Sequence, residues 1–105
     1  MSFKAILEAN LKTAALSLNN VWTKTAQDAG WPDKLHSQVS VTSSGSGVGF
    51  DYPSEISNEV FDTEYGSVGN SPKAAMRAMD QVNKKEVKKA VYKSLSEDLS
   101  NKGLF

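Results

Sequence analysis

Apolar residues recur at three- and four-residue steps along the first quarter of the chain: Phe3, Ile6, Leu7, Leu11, Ala14, Ala15, Leu18, Val21, Trp22, Ala26 and Ala29. That spacing predicts one amphipathic helix over residues 3–29. Lys4, Glu8, Lys12, Asn19 and Lys24 fall largely off the stripe, as a solvent face requires. Gly30 suits the position just past a helix end, and Pro32 cannot continue the helix. At 1.5 Å per residue such a helix spans about 40 Å. It is therefore expected to project beyond its own core and to pack against something else.

After Trp31-Pro32 the period changes to two. Leu35, Ser37, Val39 and Val41 alternate with His36, Gln38, Ser40 and Thr42, the pattern of a half-buried strand. Ser43-Ser44-Gly45-Ser46-Gly47 reads as a flexible tip, and Val48 to Tyr52 as the returning strand. Pro53 ends the pairing or confines it to an edge. Within residues 54–61, Ile56, Val60 and Phe61 fit either a turn and a half of helix or an irregular strand entry. A short helix or turn followed by a brief third strand from Val60 to Tyr65 is expected, so the sheet region runs over residues 35–66. Ser71 is a good N-cap and Pro72 fits the first helical position. A second long helix is expected over residues 71–102, with Gly103 as its stop. Its stripe of Ala75, Met76, Met79 and Val82 slips at Asn83 before Val87, Ala90, Val91, Leu95 and Leu99 resume it. The slip implies a kink or a change of buried face, and leaves open whether this is one helix or two. The expected fold class is α+β, a single domain with a long helix at each end and a small antiparallel sheet between.

Composition and charge narrow the functional classes. A chain of 105 residues without cysteine has no disulfide and no thiol chemistry. No apolar run approaches the roughly 20 residues of a membrane span, and the N-terminal residues lack the pattern of a secretory leader. Net charge is zero but unevenly placed. Asp51, Glu55, Glu59, Asp62 and Glu64 form an acidic segment without a base. Lys73, Arg77, Lys84, Lys85, Lys88, Lys89 and Lys93 face only Asp80 and Glu86. Two readings fit: two solvated faces, or a subunit whose acidic side meets the basic side of its neighbour.

Catalytic and metal motifs are not expected. His36 is the single histidine and is read as an exposed or hydrogen-bonded side chain, since no second ligand accompanies it. The run Gly45 to Gly49 has a strand after it where a phosphate loop needs a helix, so it reads as a hairpin tip. Nothing in the sequence buries or pairs the carboxylates Glu55, Glu59, Asp62 and Glu64 as acid and base would require. The chain is read as a non-enzyme without cofactor or metal.

The stretch Glu64-Tyr65-Gly66-Ser67, a short linker, then Pro72 and an apolar turn carrying Arg77, resembles the pattern of small neck proteins of long-tailed bacteriophages. These are the tail-completion or head–tail joining proteins. The preceding order is also similar: a long N-terminal helix, the run Pro32-Asp33-Lys34-Leu35-His36-Ser37-Gln38-Val39, then a hairpin. This chain has Ala74 and Ala75 where members usually carry a proline and a large aromatic. The resemblance implies a structural virion protein at the neck, assembled from the host cytoplasm into a ring. Six-fold order is favoured and twelve-fold is the alternative. It further implies contacts with neighbouring neck, connector and tail-tube proteins, and a lumen that passes DNA without specific binding. Interface candidates are Tyr65, Gly66, Met76, Arg77, Met79, Lys84, Lys85, Lys88, Lys89 and the tail Leu104-Phe105. Ser43, Ser44, Gly45, Ser46 and Gly47 are the candidate assembly loop. The alternative reading is a small cytosolic regulator or nucleic-acid-binding module acting through the face Lys84–Lys89.

Overall fold

The structure, a computed structural model, describes residues 2–103. In chain order it contains α1 (Phe3–Ala29), α2 (Asp33–His36), β1 (Ser40–Ser44), β2 (Gly47–Asp51), a 3₁₀ turn (Ser54–Ile56), α3 (Ser57–Tyr65), a second 3₁₀ turn (Arg77–Met79) and α4 (Asp80–Asn101). The fold is α+β, with two long helices and one antiparallel hairpin.

α1 has the expected bounds. The Ser2 hydroxyl accepts the Ala5 amide at its start, and Gly30 closes it in the left-handed region with φ 93°. Ile6, Leu11, Ala14, Ala15, Leu18, Trp22 and Ala26 form its buried stripe, whereas Val21 lies outside the stripe, half exposed. Each fully buried leucine contributes roughly 1.5–3 kcal/mol relative to exposure. The C-terminal half of α1 carries the main core. Trp22 meets Trp31 and Phe50 edge-on, with ring centroids at 5.1 and 5.0 Å. Leu35, Val39, Val41, Val60, Ala75 and Met79 complete this cluster. Both indoles are anchored: Trp22 Nε1 donates to the His36 carbonyl, and Trp31 Nε1 to the Lys73 carbonyl at 2.7 Å.

The N-terminal half of α1 runs antiparallel to α4, as the Asn10 Nδ2 to Ser94 Oγ bond fixes. Ala90, Ser94 and Asp98, spaced by four, are the buried residues of α4. Small side chains on that stripe let the two helices approach closely. The result is an elongated molecule of 60 × 23 × 18 Å with a radius of gyration of 16.4 Å, against about 13 Å for a round domain of this length.

Four expectations are corrected. Leu35 and His36 belong to α2 and do not begin the first strand, which starts at Ser40. Asp33 enters directly after Pro32, and Leu35, His36 and Val39 all point inward at helical and turn spacing. His36 is buried, and its Nε2 lies 3.0 Å from Asp33 Oδ1. There is no third strand among the described residues: 57–65 is helical, with Val60 and Glu64 facing the core one turn apart. The C-terminal helix starts at Asp80, not Ser71. Residues 71–75 are held out of helix by side-chain and backbone bonds from elsewhere, described next. The hairpin tip is also shorter than expected. Ser43, Ser44 and Gly47 belong to the ladder, and the turn is Gly45-Ser46 alone.

Candidate functional site

The residues that carry the sequence resemblance meet at one node between α3 and α4. Gly66 ends α3 with φ 87° and ψ 166°, a conformation essentially reserved for glycine. A Cβ there would stand 3.0 Å from the Asn70 carbonyl oxygen and from Cδ and N of Pro72. The chain then turns at Ser67–Asn70, whose two residues exchange backbone bonds, and runs back along α3. The Lys73 amide donates to the Thr63 carbonyl at 2.8 Å, and the Lys73 carbonyl accepts from Trp31. These two bonds tie Lys73 to α3 and to Trp31, and residues 71–74 are not helical. The bonds displace the helix start that Ser71 and Pro72 favour locally.

Glu64 closes the node. Its side chain is 2% exposed. Oε1 accepts the amides of Ala75 and Met76 at 2.8 and 2.7 Å, and Oε2 accepts the Arg77 amide at 3.0 Å. These are first-turn amides without intrahelical partners, so a carboxylate eleven residues upstream caps the turn. Arg77 Nε donates to Oε2 at 2.8 Å, and its Nη2 donates to the Glu64 carbonyl oxygen at 2.6 Å. Burial pushes the Glu64 carboxyl up, but the guanidinium and the three amides outweigh it and hold the group below its ordinary range. The acid of this corner is thus buried, contrary to the expectation that no carboxylate of the segment is. Tyr65, expected among the interface candidates, is half exposed. It lies under the Arg77 guanidinium at 4.4 Å and against Phe61 at 4.9 Å. Arg77 is therefore shared between a buried carboxylate and an exposed aromatic pair.

The remaining candidates separate. Met79 is fully buried in the core and offers nothing to a partner. Met76 is half buried and lines a groove between β2 and α4. Lys84, Lys85, Lys88 and Lys89 are all exposed on α4. Lys84 pairs with Asp80 at 2.9 Å and Lys89 with Glu86 at 3.4 Å. Lys88 sits 5.8 Å from the Tyr92 ring centre. Leu104 and Phe105 lie outside the described residues.

Two functional-looking residues escaped the sequence reading. Asn19 clamps β1 from α1: its Oδ1 accepts the Val41 amide and its Nδ2 donates to the Val41 carbonyl, each at 2.8 Å. Asn83 has a buried Oδ1 without a hydrogen-bond partner among the described residues. The slip in the α4 stripe pointed at Asn83 without saying what it does. Among the described residues no group of three or more His, Cys, Asp or Glu could hold a metal ion, and no helix is long and apolar enough to cross a membrane. No protein-family model matches the chain, and neither a curated protein nor a solved structure matches it significantly.

Proposed function

We propose that the protein is a structural subunit of a tailed-bacteriophage neck. In this reading copies form a ring that completes the tail end or joins tail to head, and DNA passes through it. The observation that carries the reading is the convergence at the node. The acid and the arginine of the Glu64-Tyr65-Gly66-Ser67 … Arg77 pattern are bonded to each other, and Gly66 makes the corner between them. A pattern whose members support one another physically is better grounds for a resemblance than scattered identities. The elongated shape and the division of acidic and basic segments also suit a subunit that meets unlike faces of its neighbours. Six-fold order is favoured and twelve-fold is the alternative. Zero net charge agrees with a lumen that passes DNA, since a strongly basic channel would hold it by counterion release.

Mass measurement on the purified protein, alone and mixed with tail tubes, tests this directly. A discrete hexamer or dodecamer, free or on the tube end, is the expected result. A protein that stays monomeric and off the tubes at every concentration overturns it. One observation favours a second reading: Lys84, Lys85, Lys88 and Lys89 lie exposed and close together on α4, and Lys85 and Lys88 have no carboxylate within 4.0 Å among the described residues. A nucleic-acid module would use that face and bind duplex DNA at low salt with a steep salt dependence. The neck subunit would not.

A further inference from the structure

The two edges of the hairpin are treated differently. β1 and β2 pair with Val41 opposite Phe50 and Ser43 opposite Val48. Because both backbone groups of Val41 are taken by Asn19, Val41 and Phe50 form a non-hydrogen-bonded pair. In an antiparallel ladder bonded and non-bonded pairs alternate. The inward bonds of β2 therefore come from Gly47, Gly49 and Asp51, while the N–H and C=O groups of Val48 and Phe50 point away from β1. The β1 edge is closed at Val41 by a side chain that imitates a strand. The outer β2 edge has no hydrogen-bonded neighbour among the described residues.

That open edge is one wall of a groove of about 530 Å³ whose other wall is α4. Val48, Phe50, Met76 and Val87 make it apolar; Asp80 and Lys84, paired with each other, and Lys88, with no carboxylate within 4.0 Å among the described residues, are its charged members. Asn83 also lines it, with its desolvated Oδ1 unpaired among the described residues. An unpaired strand edge beside an apolar, helix-walled groove is the arrangement that captures extended peptides by strand addition.

We propose that β2 is a docking edge for an extended segment of a partner protein. The segment pairs with Val48 and Phe50, sets apolar side chains at alternate positions into the groove beside Asn83, and carries a carboxylate for Lys88. This goes beyond the ring reading and stands or falls separately from it.

The test uses the full chain, labelled with ¹⁵N, and three synthetic probes. The first is the blocked peptide Glu-Val-Thr-Val-Thr-Val-Glu. The second replaces its central valine with proline, and the third replaces both glutamates with lysine. The first probe should produce saturable shifts at the Val48 and Phe50 amides and at the Asn83 side-chain amide. It should also slow exchange of those two backbone amides by about tenfold or more, the protection expected when an edge becomes a ladder. The proline probe should lose this effect, and the lysine probe should bind more weakly at low salt. Lys88→Glu should reverse the charge preference. Absence of protection at Val48 and Phe50 up to millimolar probe overturns the proposal, as does equal binding of the proline probe. Protection that depends on protein concentration without any peptide makes a second copy the occupant and overturns the assignment to a partner.

Discussion

The residue that decides most is Glu64. Its carboxylate gathers three amides and one guanidinium, and each charged bond of this kind is stronger than a neutral one. Replacing it by Gln turns one oxygen into a donor aimed at donors. The expected cost of Glu64→Gln is about 3 kcal/mol, the low end for breaking a buried pair, because half-exposed Arg77 can rehydrate. Denaturant unfolding monitored through the two tryptophans measures it. The pH dependence has a definite sign. Glu64 titrates lower in the folded chain than in the unfolded one. Its stabilisation is therefore fully present above the unfolded carboxyl value near pH 4.3 and lost as pH falls through the lowered folded value. The wild type should lose stability steeply below about pH 4, and Glu64→Gln should show a shallower acid limb. Equal acid limbs would remove the carboxylate from this role. Gly66 is the second decisive position. Gly66→Val must carry a β-branched side chain in a glycine-only conformation and push against the Asn70 and Pro72 backbone. A loss of about 1–3 kcal/mol is expected from the backbone alone, read as a lowered melting temperature.

At the scale of elements the long arm depends on small residues. Ser94 is fully buried, donates to the Ala90 carbonyl and accepts from Asn10. Ser94→Ala should cost about 1 kcal/mol through the loss of that bond. Ser94→Leu should cost about 1–3 kcal/mol by forcing α1 and α4 apart, with amide exchange rising first in residues 80–101. If the leucine variant melts like the wild type, the close approach of the helices is not what holds the arm. The elements also show what a sequence can disclose. α1 was legible because its apolar stripe, its glycine stop and the proline after it agree with one another. The hairpin was legible in part, since Val48 and Phe50 alternate with glycines and Val41 with polar residues. α3 was not. Two inward residues one turn apart, Val60 and Glu64, look like a short strand entry when the buried member is a carboxylate. The start of α4 was misplaced for a related reason. Ser71-Pro72 is a good local helix start, but the Thr63–Lys73 and Trp31–Lys73 bonds override it, and both partners are distant in sequence. The Glu64–Arg77 pair could be suspected from the motif, but its capping of the Ala75 to Arg77 amides could not.

At the scale of the molecule, the proposed ring would depend on shape and charge. The two long helices make a thin arm, and the exposed acids Asp51, Glu55, Glu59 and Asp62 and the lysines of α4 give it unlike surfaces. Ion pairs at the rim of an interface contribute only about 0–1 kcal/mol each, so charge is expected to set register and association rate more than strength. The structure refines which charges are available. Lys84 and Lys89 already face Asp80 and Glu86 within α4, which blunts their reach. Lys85 and Lys88 have no such partner among the described residues and should steer most. Changing Lys84, Lys85, Lys88 and Lys89 together to Glu should therefore slow ring or tail assembly, chiefly at low salt. The pair Lys85→Glu/Lys88→Glu should reproduce most of the slowing. Raising ionic strength shrinks the screening length from about 30 Å at 0.01 M to about 10 Å at 0.1 M, so wild type and variants should converge as salt is added. Assembly rate followed by light scattering across that range is the measurement. If the fourfold reversal leaves the low-salt rate unchanged, the lysines are a solvated face and subunits find one another by apolar contact alone.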